Sequence, residues 1–354
     1  MTEQTVNSEH AIERISTMRD VAAIAGVSIK TVSRIINQEP GVSTELAARV
    51  QEAIRLLGYQ QNTTASSLRR SNQRTLTIGL LLDDVANPFS STLHRAIEKI
   101  AHDHDTLVFA VSSDQEVARE DQLIRAMAAR RVDGLIIVPN STGAAGLQQF
   151  QRLHRPAVCI DRPAVIPNID SVLADNRTGT RTAIQHLAAH GHRRIAFLGD
   201  RETIWTAAER YLGYIEALAL EGLTLDRQLV RQNLNSSAIA EQATLDLLDS
   251  EAPPTALFTG QNLITFGAVC ALQQRGLQQR VALVGFDDFL LADLLSPPIS
   301  VIAQNPALLG QTAAELLFAR LNDNTLPPRQ IVIPTHLLAR GSGEIPHVKI
   351  ADNR

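Results

Sequence analysis

The sequence predicts a small all-α headpiece followed by a larger α/β core of two doubly wound parallel sheets. Three observations carry that expectation. Residues 18 to about 60 show three short helical patterns and no strand pattern. From Leu76 onward, near-continuous aliphatic runs alternate with amphipathic stretches, as expected of parallel strands covered on both faces. The alternation comes in two series, and 354 residues exceed the roughly 250 to 300 at which a single core stops growing.

Each headpiece element has a local cause. Arg19 to Ala25 reads as a first helix, Gly26 permits a tight turn, and Ser28 caps a second helix running to about Ile36. Asn37 to Val42, with Pro40 and Gly41, is a loop. Ser43 caps a third helix, with Glu45 in its first turn where the helix dipole favours a carboxylate, and Gly58 ends it. Leu46, Val50, Ala53, Ile54 and Leu57 fall at helical spacing and are expected to close over Val21, Ile24, Val32 and Ile36. Residues 1–17 are polar and read as a disordered tail.

In the core, TLTIGLLL, TLVFAVSS, GLIIVP and AVCID are the strands of a first lobe, with helices beginning near Phe89, Glu116 and Gly143. After Asp170 the pattern resumes with SVLAD, RIAFLGD, TALFTG and VALVGF. Pro163 and Pro167 mark a crossing between lobes at Arg162 to Asn168, and a second crossing is expected near Asp288 to Ser300. Ligands of such folds bind beyond the carboxyl ends of the strands, here in a cleft between lobes.

Composition narrows the function classes. Cys159 and Cys270 are the only cysteines and sit in apolar patterns, so a disulfide framework is not expected. No run approaches the roughly 18 apolar residues of a membrane span, and MTEQTVNSEH lacks the basic and apolar regions of a secretory signal, which points to the cytoplasm. Net charge is −4, but residues 18–75 hold eight Lys or Arg against four acids, a surplus of +4 that leaves −8 for the remainder. A small basic module on an acidic body is the asymmetry expected when one part approaches phosphates.

The stretch VAAIAGVSIKTVSRIINQ, residues 21–38, has the helix-turn-helix arrangement, whose second helix lies in the DNA major groove. Val32, Ile35 and Ile36 are expected to point inward and Ile29, Lys30, Ser33 and Arg34 outward, with Thr31 flanking. Lys30 and Arg34 suit guanine O6 and N7, and Ile29 suits a thymine methyl. The hydroxyls of Ser28, Thr31 and Ser33 suit phosphate oxygens, and Asn37 at the helix end joins the set. By itself, such a hairpin can equally dock protein, leaving a cytosolic small-molecule sensor without DNA binding as the alternative.

Wider context favours the first reading. TMRDVAAIAGVSIKTVSRIINQEPGVS followed by LGY resembles the amino-terminal module of the LacI/GalR, or lac-repressor-type, transcription regulators. The resemblance continues through NPF at 87–89, DGLIIVP at 133–139, IDR at 160–162, HLAAHGHRRIAFLGD at 186–200 and VALVGFDD at 281–288. It implies a helix-turn-helix DNA-binding domain at 18–61, a hinge at 62–74, a periplasmic-binding-protein-like effector and dimerisation domain at 75–343, and a tail at 344–354. It further implies a homodimer on near-palindromic operator DNA, with a small sugar, sugar phosphate or nucleoside as effector.

Within the hinge, the resemblance assigns DNA contacts to Asn62, Ala65 and Leu68, with Leu68 wedged into a minor-groove base step. Arg69 and Arg70 stand beside it, while Gln61, two residues after Tyr59, replaces a proline common in the family. In the cleft it assigns effector contacts to Asp161, Arg210, Asp287 and Gln304, with Gln261 beside them. Carboxylate and guanidinium groups suit vicinal hydroxyls, which donate and accept together. Phe89 and Trp205 can stack on an apolar sugar face, although Trp205 equally fits half-exposed packing. Two departures stand out: Gln261-Asn262 replaces the usual Asn-Asp pair, and Ser90 replaces a second aromatic after NPF. His186, His190 and His192 have metal-like spacing, but no cysteine or carboxylate completes a set and the resemblance makes the stretch structural. No catalytic motif stands near Asp287-Asp288, so neither enzyme activity nor a cofactor is expected.

Overall fold

The structure, a computed structural model, describes residues 16–37, 39–59, 74–140 and 145–347. The chain divides into two compact units at Thr75/Leu76.

The first unit holds helices α1 (Met18–Ala25), α2 (Ile29–Ile36) and α3 (Thr44–Leu57). Asp20 reaches back to accept from the Thr17 backbone N–H (2.7 Å) and hydroxyl (2.6 Å), tying off the start of α1. Gly26 takes the left-handed conformation that lets the chain turn (φ 62°). Ser28 Oγ accepts from the Thr31 N–H at 3.1 Å and Ser43 Oγ from the Leu46 N–H at 3.3 Å, so both expected caps form. Arg49 donates to the Ala25 carbonyl at 2.6 Å and holds α3 against the end of α1. Val21, Ala22, Ala25, Val32, Ile35, Val50 and Ala53 form the core. Ile24, expected in that core, is 55% exposed. On an eight-residue helix, the inward stripe of Met18, Val21, Ala22 and Ala25 already fills the i, i+3, i+4, i+7 positions, and Ile24 falls on its shoulder. Ser16 donates to the Leu57 carbonyl at 2.9 Å, so Ser16 and Thr17 belong to the module rather than to the tail expected there.

The second unit has two lobes, each a six-stranded sheet. Lobe 1 contains β1 (Thr77–Leu82), α4 (Pro88–Asp103), β2 (Leu107–Ser112), α5 (Val117–Ala129), β3 (Gly134–Ile137), α6 (Ala145–Arg152), β4 (Ala157–Ile160) and β5 (Asp170–Ala174). Lobe 2 contains α7 (Asn176–Ala189), β6 (Ile195–Leu198), α8 (Trp205–Leu220), β7 (Val230–Arg231), α9 (Ser237–Leu248), β8 (Ala256–Thr259), α10 (Asn262–Arg275), β9 (Ala282–Phe286) and β10 (Ser300–Ala303). Helix α11 (Pro306–Asn322) and strand β11 (Gln330–Ile333) return to lobe 1, and β12 (His336–Leu338) closes lobe 2. The sheet orders are β11-β5-β4-β3-β1-β2 and β12-β10-β9-β8-β6-β7. All pairings are parallel except β10 with β12.

Strand β1 shows why the pattern is near-continuous. Ile78, Leu80 and Leu82 enter the core beneath α4 and α11, whereas Leu81 joins Ile124, Met127 and Phe150 on the other face. A Cβ at Gly79 would stand 2.5 Å from the Met127 sulfur, so glycine there is what allows α5 to lie close.

The lobe crossings correct two expectations. Residues 161–169 do not cross; they join β4 to β5 within sheet 1, and 287–299 likewise join β9 to β10 within sheet 2. Both are parallel connections without a helix, and the missing helix and the prolines imitate a boundary between lobes. The chain instead crosses after Ala174, after Ala303 and after Ile333. Glu344, expected in a tail, accepts from Ser300 Oγ at 2.8 Å, and Ile345 accepts from the ring of His192 at 2.8 Å. Segment 344–347 is thus part of lobe 2.

Candidate functional site

Two sets of functional side chains were expected, one on α2 and one in the cleft. On α2, Val32 and Ile35 are buried and Ile36 is partly so, as the pattern required. Ile29 and Lys30 are exposed. Thr31 Oγ1 lies 2.9 Å from Ser28 Oγ, and Ser33 Oγ accepts from Asn37 Nδ2 at 3.4 Å. Arg34 is less free than expected: it donates to the Pro40 carbonyl at 2.7 Å and its Nε lies 3.4 Å from Glu39. Such exposed ion pairs contribute little, about 0 to 1 kcal/mol, so a stronger acceptor can replace Glu39. Asn62, Ala65 and Leu68, with Arg69 and Arg70, lie outside the described residues.

The cleft lies at the carboxyl ends of the strands of both lobes and encloses about 290 Å³, near the small end of the roughly 300–1,000 Å³ typical of ligand sites. Phe89, Asp161, Arg210, Gln261, Asp287 and Gln304 all line it. Trp205 does not. Its neighbours Ile204 and Thr206 face the cleft, and Ala207 and Arg210 continue that face along α8. At about 100° per residue, Trp205 points roughly 200° round the helix from Ala207, and it packs half-buried outside the site.

The lobes present matched aspartates. Asp161 follows β4 and Asp287 follows β9, equivalent strands in the two sheet orders. Both have left-handed backbones, φ 67° and 74°. Both use their N–H on the next strand, Asp161 to the Val172 carbonyl and Asp287 to the Ile302 carbonyl, each at 2.9 Å. Aspartate tolerates this conformation better than most residues, and the turn aims each carboxylate into the cleft. Burial pushes Asp161 up to about 6, helped by the negative charges of Asp83 and Asp287 and opposed by Arg162 and Arg210.

Arg210 is fixed from several sides. Its Nε donates to Asn176 Oδ1 at 2.8 Å, Nη1 donates to the Gly260 carbonyl, and Asp287 lies 3.9 Å away. The guanidinium stacks over the Phe286 ring at 3.8 Å. Asp287 Oδ1 accepts from Gln304 Nε2 at 2.5 Å, while Gln304 Oε1 is buried without a partner. Gln261 donates to Asp200 at 2.8 Å.

Sequence reasoning missed several lining residues. Arg162 is buried and pairs with Asp83, while its Nε has no hydrogen-bond partner and lies 3.9 Å from Asp161; Asp83 Oδ1 likewise has no hydrogen-bond partner. Asp83 follows β1 immediately and Asp200 lies two residues beyond β6, so asking which polar residues trail each strand would have found both. The expected histidine stretch is structural: His186 contacts Glu344 at 2.5 Å, and His192 contacts Thr255 at 3.0 Å. Among the described residues no group of three or more His, Cys, Asp or Glu is arranged to hold a metal ion, and no helix is long and apolar enough to cross a membrane.

Comparison with known proteins agrees with both parts of the chain. Residues 17–62 match the model of "Bacterial regulatory proteins, lacI family", and residues 75–341 that of "Periplasmic binding proteins and sugar binding domain of LacI family". The ribose operon repressor of Escherichia coli K12 is 31% identical over 332 residues, covering 93% of this chain and 100% of that protein. The crystal structure of the lac repressor dimer bound to operator and the anti-inducer ONPF superposes with TM-score 0.83 at 28% identity, covering 93% of this chain and 99% of that one. A LacI family regulator from Enterococcus faecium with bound ribose gives TM-score 0.69 at 27% identity, covering 77% and 100%. Headpiece, two-lobed core and cleft geometry together make this chain a member of the lacI family of bacterial regulatory proteins, which are DNA-binding transcription regulators.

Proposed function

We propose that this protein is a cytoplasmic repressor that binds near-palindromic operator DNA as a homodimer and responds to a small, uncharged polyhydroxy ligand in the cleft. Helix α2 enters the major groove, with Ile29, Lys30 and Arg34 reading base edges and Ser28, Thr31, Ser33 and Asn37 positioning the helix on phosphates. Asn62, Ala65 and Leu68 act at the operator centre. Ligand binding favours one lobe arrangement over the other, and that difference in affinity shifts DNA binding. The chain carries no catalytic role; the cleft's charged groups bind and orient.

The observation that carries the ligand class is the charge of the cleft. Six aspartates, at 83, 84, 114, 161, 200 and 287, face three arginines, at 162, 201 and 210. An acidic cavity of this size repels a phosphate monoester and suits hydroxyl donors, so sugar phosphates are disfavoured against free sugars and nucleosides. Asp161, Arg210, Asp287, Gln304 and Gln261 supply the polar contacts, and Phe89 supplies an apolar one.

A thermal-shift screen of free sugars, their phosphates and nucleosides tests the cleft, since a ligand that binds only the folded state raises the melting temperature. A neutral polyol that stabilises the protein and alters its gel shift on the protected site supports the reading. Stabilisation by phosphorylated sugars alone would overturn the ligand class. A footprint that finds no symmetric protected site would favour the sensor without DNA binding.

A further inference from the structure

Two helix N-termini meet across the cleft. Helix α4 of lobe 1 is capped by Asn87, whose Oδ1 accepts from the Phe89 N–H at 3.0 Å. Helix α10 of lobe 2 begins at Asn262, whose Oδ1 accepts from the Leu263 N–H at 2.8 Å. These bonds decide which way each amide faces, because a backbone N–H needs an oxygen. With its oxygen turned back to its own helix, Asn262 sends Nδ2 across the cleft onto Asn87 Oδ1, at 3.1 Å.

Three features make this bond consequential. Asn262 is 5% exposed, so water competes poorly for it. Asn87 Oδ1 lies between the N-terminal ends of a 16-residue and a 14-residue helix, where the positive ends of two macrodipoles favour an acceptor. The neighbouring bonds do not bridge the lobes: Arg162 with Asp83 lies within lobe 1, Gln261 with Asp200 within lobe 2, and Gln304 with Asp287 at a crossing.

We propose that Asn87 and Asn262 form a clasp that holds the two lobes closed before any effector arrives, making Asn262 the residue that sets how readily the cleft opens. The Asp-to-Asn departure at this position has a chemical meaning, because only an amide can donate. An aspartate would set two acceptors against each other, and Asn87 cannot turn to donate without giving up its cap on Phe89. This inference concerns cleft opening alone and stands apart from the ligand and operator assignments.

Hydrogen exchange on the full-length, ligand-free protein tests it without DNA or effector. Asn262→Asp is nearly isosteric and should speed exchange in the opposite lobe, in peptides spanning 84–93, by about fivefold, the worth of one neutral hydrogen bond. Peptides covering β1 and β9 should not change. Asn87→Ser retains a helix cap but is too short to reach across, and should open 261–267 similarly; the double variant should add nothing further. Should Asn262→Asp lose native circular dichroism, Asn262→Ser carries the same test. Unchanged exchange at 84–93, or effects that add in the double variant, would overturn the clasp.

Discussion

Removing one partner of the buried pair Asp170–Arg320 should destabilise lobe 1 strongly, whereas removing both should not. Arg320 on α11 donates from Nε and Nη2 to the Asp170 carboxylate at 2.8 and 2.7 Å, and the Asp170 side chain is fully buried. Asp170 also accepts from the Arg329 N–H at 2.6 Å. Stranding one charge of such a pair costs about 3 to 5 kcal/mol. In Asp170→Asn, the carbonyls of Leu326 and Pro327 still receive Arg320, which places that variant near the lower end, about 3 kcal/mol. In Arg320→Met the buried Asp170 carboxylate keeps only the Arg329 N–H, which places that variant near the upper end, about 5 kcal/mol. Urea unfolding of the singles and of Asp170→Leu/Arg320→Met reads these effects, with the midpoints followed by probes in each lobe. The double variant should unfold near or above the wild-type midpoint. Single variants costing under about 1 kcal/mol, or a double variant worse than both, would refute the reasoning.

Three further outcomes follow from the site. Asp161, at about 6, must be ionised to accept ligand hydroxyls, so ligand affinity measured by calorimetry should fall about tenfold from pH 7.5 to pH 5. Glu120, pushed up to about 7 by burial, titrates in the same window but does not line the cleft, so the loss should vanish in Asp161→Asn. Lys30→Ala should lower the slope of log affinity against log salt on a nonspecific duplex by about 0.9 if Lys30 neutralises one phosphate, and leave it unchanged if it touches only bases. Arg210→Lys keeps the charge but loses the Nε bond to Asn176 and the guanidinium contact over Phe286, so ligand-induced thermal stabilisation should disappear while the protein still folds and binds DNA.

Local chemistry made much of this legible in the sequence. Ser28, Gly26, Ser43 and Gly58 each act as their type predicts, because caps and turns depend on a few neighbours. Six of the seven expected cleft residues face the cleft, since strand ends put them there. What failed depends on distant parts of the chain. The helix-free links at 161–169 and 287–299 passed for domain crossings, and β11 and β12 gave no hint that they serve different lobes. Trp205 was misplaced because helix rotation, not residue type, decides which side of α8 faces the ligand. Arg34 looked free because its loop partners, Glu39 and the Pro40 carbonyl, are fixed only by how the turn folds back.

The late return of β11 has a cost during synthesis. Strand β5 has β4 on one edge, but its other edge is covered only by residues 330–333, which are made after nearly the whole of lobe 2. Until then the nascent chain carries a bare strand edge, and before α11 is made Asp170 is also without Arg320 and the face that α11 will cover is open. Such an edge invites pairing with other chains. A ribosome that stalls before codon 330 therefore leaves neither lobe complete, and loss of the last few dozen residues would strip an edge strand from both sheets at once.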